Sequence, residues 1–129
     1  MVLVDSSIWI AEWRRPGVLP LNVGFSDIAI CPPILQEVLQ GVREENLYVT
    51  ARRTLLSVAM LETSMSADVF EEAAQIYRTG RMTGFTIRSS YDCLIAACAI
   101  RNGSPLLHSD REFNTIARFT RLQSRYVAL

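Results

Sequence analysis

Met1-Val2-Leu3-Val4-Asp5-Ser6-Ser7-Ile8-Trp9-Ile10-Ala11-Glu12-Trp13 begins the chain, and the architecture can be worked out from it. Val2-Leu3-Val4 is a short, continuous apolar run, which suits a strand buried on both faces. Asp5-Ser6-Ser7 then offers side-chain oxygens to the free N–H groups of a helix start, and Ile8 to Trp13 continues as that helix. Asp5 stands where strand gives way to helix.

The same order of apolar run, stop and helix recurs downstream. Arg14-Arg15-Pro16-Gly17 and Leu19-Pro20 break the first helix, and a loop leads to the apolar run Ile28 to Cys31. Pro32-Pro33 ends that run and can sit at a helix start. The next helix is predicted over Ile34 to Arg43, with Ile34, Leu35, Val38, Leu39 and Val42 on one face and Glu37 on its flank. Gly41, one turn after Glu37, leaves room for another chain or a ligand. A helix over Val49 to Leu61 and a short extended segment around Leu61 to Met65 follow. Ser66 caps a helix over Ala67 to Arg78, buried through Val69, Ala73, Ile76 and Tyr77, and Gly80 to Gly84 reads as a loop. Ser90 to Arg101 is apolar nearly all round and is predicted to be a buried helix with Asp92 in its first turn. Asn102-Gly103 stops it, and Pro105 leads into a strand over Leu106 to Ser109, with Asp110 next. A helix over Arg111 to Phe119 and a strand over Arg125 to Ala128 complete the series. This alternation implies an α/β fold: a three-layer α/β/α sandwich with a mainly parallel central sheet, forming one domain over residues 1–129. In such sheets ligands bind beyond the carboxyl ends of the strands.

Composition narrows the function. With 129 residues, 50% of them hydrophobic, the chain can bury a sizeable core without disulfides. Cys31, Cys93 and Cys98 are odd in number and form no C-x-x-C pair, and His108 is the only histidine. A zinc cage is therefore excluded in favour of reduced, buried thiols. No apolar run approaches the roughly 20 residues of a membrane span. No basic region precedes the first apolar stretch as in a signal peptide, so a cytoplasmic location with no membrane contact is expected. The formal net charge of zero argues against a strongly basic nucleic-acid binder. Setting aside Asp5, Glu37, Asp92 and Asp110, however, leaves nine acids against 13 basic residues. Every basic residue is arginine, whose planar fork suits phosphate; a genomic bias in base composition gives the same usage.

Each of the four acids also has a local reading. Asp5 can be a helix cap, a task Ser6 or Ser7 could take instead. Asp92 can favour a helix dipole or pair with an arginine such as Arg88. Glu37 can be a solvated flank residue and Asp110 a turn residue. Their shared position at the ends of apolar runs favours a common site, because carboxylates gathered at one edge repel unless a cation holds them. Hard carboxylate oxygens suit Mg²⁺ or Mn²⁺, and such ions assist attack of water on a phosphodiester without a side-chain nucleophile.

The segments Val4-Asp5-Ser6-Ser7-Ile8-Trp9, Pro33-Ile34-Leu35-Gln36-Glu37-Val38-Leu39-Gln40-Gly41, Tyr91-Asp92-Cys93-Leu94-Ile95-Ala96-Ala97 and His108-Ser109-Asp110-Arg111-Glu112-Phe113 together resemble a PIN-domain nuclease. Within that family the chain looks like a VapC-type toxin of a toxin–antitoxin system. The resemblance covers essentially the whole chain. It implies a Mg²⁺-dependent endoribonuclease, with Mn²⁺ as a substitute, acting on single-stranded or looped RNA. Asp5, Glu37, Asp92 and Asp110 would be its acidic quartet, with Asp5, Asp92 and Asp110 on the metal and Glu37 positioning water or a second ion. Ser7 would orient Asp5. The last motif often reads Asp-x-Asp-Phe, whereas Glu112 stands here in place of the second aspartate, which makes Glu112 a reserve candidate. A cognate antitoxin and a homodimer are also implied.

His108, with its apolar neighbours, reads as structural or substrate-side rather than as a general base. Trp9 and Trp13, one helical turn apart, read as core packing ahead of a base-stacking platform or a partner's groove. Arg14, Arg15, Arg81 and Arg88 lie in or beside loops, either solvated or touching phosphate. A haloacid-dehalogenase-like phosphatase would need a second aspartate where Ser7 stands, and a receiver domain would need a lysine. The non-enzymatic rival is a PIN-like protein-interaction module with little nuclease activity.

Overall fold

A computed structural model describes residues 1–20 and 23–129; the part of the expected loop at positions 21–22 lies outside the described residues. Strands β1 (Val2–Val4), β2 (Ile28–Ile30), β3 (Ala59–Met60), β4 (Leu106–His108) and β5 (Ser124–Tyr126) form one sheet in the order β3-β2-β1-β4-β5. All four pairings are parallel. Between the strands lie helices α1 (Ser6–Arg14), α2 (Pro32–Gln40), α3 (Glu45–Ser57), α4 (Ala67–Met82), α5 (Ser90–Arg101) and α6 (Arg111–Ala117), with a short 3₁₀ turn at Phe25–Asp27. β1, β2 and β4 are buried throughout, which is why they read as unbroken apolar runs rather than as alternating patterns.

The chain builds outward from β1 through β2 to β3, then returns to place β4 on the other side of β1 and β5 beyond it. Right-handed crossovers running in opposite directions put the connecting helices on opposite faces of the sheet. Accordingly α1 packs on α2 and α2 on α3, while α4 packs on α5 and α5 on α6. This is the expected α/β/α sandwich. α2 also reaches α5, which brings the helix of Glu37 to the helix of Asp92.

Several boundaries differ from expectation, each for a tertiary reason. α2 runs from Pro32 and stops at Gln40 rather than Arg43, with Gly41 as its C-cap. α3 occupies Glu45–Ser57 instead of Val49 to Leu61, because Ala59 and Met60 pair with Ala29 and Ile30 as a strand. The extended segment therefore precedes Leu61 to Met65, and Leu61 closes the pairing by donating its N–H to the Ile30 carbonyl at 2.7 Å. β5 lies at Ser124–Tyr126 rather than Arg125 to Ala128, fixed by its register with Leu106 and His108. α6 ends at Ala117, short of Phe119.

α4 shows the largest change, continuing through Gly80 to Met82 where a loop was expected from Gly80. Gly80 is there to admit a ring: a Cβ on it would stand 2.8 Å from Phe119 Cζ. Phe119 in turn stacks on Phe85 with centroids 5.5 Å apart. Cys31, Cys93 and Cys98 are all free and buried, as expected. Trp9 is 2% exposed and belongs to the core, whereas Trp13 is 40% exposed. Among the described residues no helix is long and apolar enough to cross a membrane.

Gly80→Val should destabilise the fold by roughly 1–3 kcal/mol through overpacking against Phe119. In urea denaturation the penalty should shrink when Phe119→Ala is added. Strict additivity of the two changes would disprove the contact's role.

Candidate active site

β1 and β4 are neighbours at the point where the order of strand addition reverses, and in open parallel sheets ligands bind beyond the carboxyl ends of the strands at such a point. Asp5 follows β1 and Asp110 lies two residues beyond β4. Asp5 is the N-cap of α1, and its Oδ2 accepts the Ser7 N–H at 3.2 Å and the Ser7 hydroxyl at 2.6 Å. The cap reading of Asp5 is thus correct as far as it goes, and Oδ1 lies outside those two bonds. The Ser7 hydroxyl also accepts the Ser109 N–H at 3.1 Å, tying the start of α1 to the turn that carries Asp110. Next to it, the Ser6 hydroxyl donates to Glu37 Oε1 on α2. Two consecutive serines after a strand-ending acid were the sequence signal for this arrangement; that Ser6 serves Glu37 required the fold.

Asp92 lies in the first turn of α5, whose cap Ser89 accepts the Asp92 N–H at 3.3 Å. It is 8% exposed, and among the described residues no donor reaches its carboxylate and no cation pairs with it. Burial pushes its pKa up to about 7, aided by the charges of Asp110, Asp5, Glu37 and Glu112. Asp5, 4% exposed, is raised to about 6, chiefly by burial, with Glu37 adding to the rise and the Ser7 hydrogen bonds opposing it. The other three acids and Glu112 thus lie within electrostatic reach of Asp92. Arg88 does not pair with Asp92 as its place in the sequence suggested. Its backbone N–H instead donates to Glu112 Oε1, so Glu112 spends one oxygen on the loop before α5. Asp110 caps α6, its Oδ1 accepting the Glu112 N–H at 2.9 Å. The ion pairs among the described residues belong to Arg101, with Glu62 at 3.3 Å and Glu72 at 3.4 Å.

His108 is fully buried, and burial lowers its pKa to about 4. Its Nδ1 accepts the Asp110 N–H at 3.2 Å, so the proton resides on Nε2, which donates to Ser124 Oγ at 2.6 Å. Ser124 passes the chain on to Asn114 Oδ1 at 2.8 Å. With both nitrogens engaged, His108 braces the turn before Asp110 and is not free to act as a base. The Tyr91 hydroxyl, near Glu37, is buried with no hydrogen-bond partner among the described residues.

The donor set is that of a hard divalent cation: carboxylates only, one of them buried without a counter-charge. Among the described residues no three His, Cys, Asp or Glu side chains are already grouped to enclose an ion.

Asp92 and Asp5 hold protons in the folded state that the unfolded chain, with its ordinary carboxyl value of 3.8, releases. Without a cation, stability is therefore lost as pH rises from about 4 through about 7 and does not return above it. Asp92→Asn should stabilise the cation-free protein at pH 8 by roughly 2–4 kcal/mol, at about 1.4 kcal/mol per pKa unit. That gain should fade toward pH 4 in chemical denaturation, and a gain independent of pH would refute the electrostatic account.

The PIN domain family model matches residues 2–119 of this chain. The VapC11 ribonuclease of Mycobacterium tuberculosis and the VapC ribonuclease Mb1587 of Mycobacterium bovis are each 39% identical over 131 residues, spanning 96% of this chain and 97% of theirs. Among solved structures, a chain of VapBC-1 from nontypeable Haemophilus influenzae superimposes with a TM-score of 0.73 at 18% identity over 98% of both chains. A chain of DNA-bound VapBC from Salmonella typhimurium gives 0.71 at 18% identity, again over 98% of both. At those identities the structural likeness is one of fold. The match over residues 2–119, joined to 39% identity with VapC proteins, makes this chain a member of the PIN-domain family, of the VapC type.

Proposed function

We propose that the chain is a Mg²⁺-dependent endoribonuclease, able to use Mn²⁺ instead, and the toxin of a cytoplasmic toxin–antitoxin pair. The observation that carries this reading is Asp92: a carboxylate 8% exposed, unpaired, and surrounded by other acids, which an incoming divalent cation would relieve. Support for the substrate comes from the relatives, which are named ribonucleases. Support for the partner comes from the VapBC family of toxin–antitoxin systems, to which a Mycobacterium tuberculosis structural relative belongs.

In this mechanism Asp5, Asp92 and Asp110 would hold the ion. A bound divalent ion lowers the pKa of water and stabilises charge on a phosphodiester. Glu37, fixed by the Ser6 hydroxyl, orients the attacking water. Ser7 keeps Asp5 and the Ser109 turn in mutual register, so that acids from two strand ends act on one phosphate. Glu112, tied to the Arg88 backbone, shapes the rim rather than serving as a ligand. The antitoxin inhibits by placing a basic side chain among these acids, and the toxin works as a homodimer.

Purified protein should cut single-stranded RNA with Mg²⁺ or Mn²⁺ and lose that cutting in EDTA. Asp5→Asn should lower the rate by roughly 10²-fold or more, as for loss of one electrostatic stabiliser. Undiminished cutting by the variant would assign the activity elsewhere, and no cutting by the wild type would favour the interaction-module reading. Independently of activity, Mg²⁺ should raise the melting temperature of the wild type and not that of Asp92→Asn. Sedimentation at micromolar concentration should give a dimer; a monomer alone would refute the homodimer.

A further inference from the structure

We propose that Arg111 and Tyr126 form a nucleotide subsite on the β5 side of the acidic edge: the Tyr126 ring stacks on a base of single-stranded RNA, and the Arg111 guanidinium takes the adjoining phosphate. This rests on the ribonuclease reading and extends it to how the substrate is held.

Five carboxylates at one edge repel a polyanionic chain, so a substrate drawn there needs attraction at the rim. Tyr126 ends β5 in register with His108, and Arg111 immediately follows Asp110, so ring and guanidinium stand on the same carboxyl edge as the acids. The Arg111 guanidinium carbon lies 5.5 Å from the Tyr126 ring centroid. Among the described residues Arg111 pairs with no carboxylate, which leaves its charge available to a ligand. Tyr126 is 39% exposed, so its ring is open to a ligand from solvent. It is also braced: the His108 ring meets it edge-on, with centroids 5.8 Å apart, and His108 is fixed by Phe113, Ser124 and the Asp110 backbone. An arginine aligned on an exposed, braced aromatic offers positive charge and a π-face together, the two elements by which proteins hold single-stranded nucleic acid. Two other such pairs exist, Arg81 with Tyr77 and Arg118 with Phe85, but neither is adjacent to a strand end that carries a site acid.

The test measures binding rather than cleavage, using Asp5→Asn protein and a short fluorescein-labelled single-stranded RNA of mixed sequence, alongside the same strand made abasic. Adding Tyr126→Ala should weaken binding of the base-bearing RNA by about tenfold, within the range for loss of one stacked base, and hardly change the abasic strand. Tyr126→Phe should bind like the parent, and Arg111→Gln should weaken both strands. Equal affinity of Tyr126→Ala and parent overturns the subsite, as does a Tyr126→Phe defect as large as that of Tyr126→Ala. Should Tyr126→Ala fail to fold, Tyr126→Trp replaces it: its added fluorescence must be quenched by base-bearing RNA and not by the abasic strand, and unchanged emission overturns the proposal. Failure of the Asp5→Asn parent to bind RNA also overturns it, whereas the nuclease reading is judged separately by wild-type cutting.

Discussion

β1 and β4 lie side by side because the chain reverses its direction of sheet building between β3 and β4, and the positions of the acids depend on that adjacency. The pairing is extended beyond the strands: the Asp5 N–H donates to the Leu107 carbonyl at 3.0 Å, so the residue that leaves β1 is still held by β4. In a parallel sheet with both faces covered, ligands reach the crevice outside the carboxyl ends of the strands where their order reverses. The four acids come from four separate stretches of sequence, and two of them, Asp5 and Asp92, are buried there.

Gathering carboxylates raises an electrostatic cost, and the first turn of α1 organises it. Ser6 and Ser7 point their hydroxyls to different acids, Glu37 and Asp5, and Ser7 uses its lone pair to hold the Ser109 N–H. Asp110 and Glu112 are tied by backbone N–H groups. Among the described residues Asp92 alone of these acids accepts no hydrogen bond, and its pKa is raised by burial first and by the neighbouring charges second. An arrangement in which every acid but one is oriented by local bonds fixes the oxygens in space while leaving their charge uncompensated. The protein's own cations do not neutralise them: among the described residues no arginine pairs with any of these acids.

The fold and the acidic cluster were largely legible in the sequence because both depend on features short in range: apolar runs of three residues, stops and caps. Asp5, Glu37, Asp92 and Asp110 could be named from where those runs ended. What was not legible depended on contacts between distant segments. Glycine at position 80 reads as a helix breaker until Phe119 is found against it. Ala59 and Met60 carry no strand signal of their own and become β3 only by pairing with β2. The backbone partner of Glu112 lies 24 residues away in a loop without periodicity, and so Arg88 was credited with Asp92 instead.

The locked state of His108 has a bearing on how this molecule exchanges protons. Both of its nitrogens are engaged and its pKa is driven down to about 4, so the single histidine is silent at neutral pH. Every basic side chain is an arginine and keeps its charge throughout that range. The side chains moved into the neutral range are instead Asp92 and Asp5, both buried and within electrostatic reach of each other. Side-chain buffering near neutrality is thereby concentrated in two carboxyl groups that follow β1 and open α5. Near neutral pH the molecule's side-chain charge therefore changes at these two acids and not at its histidine.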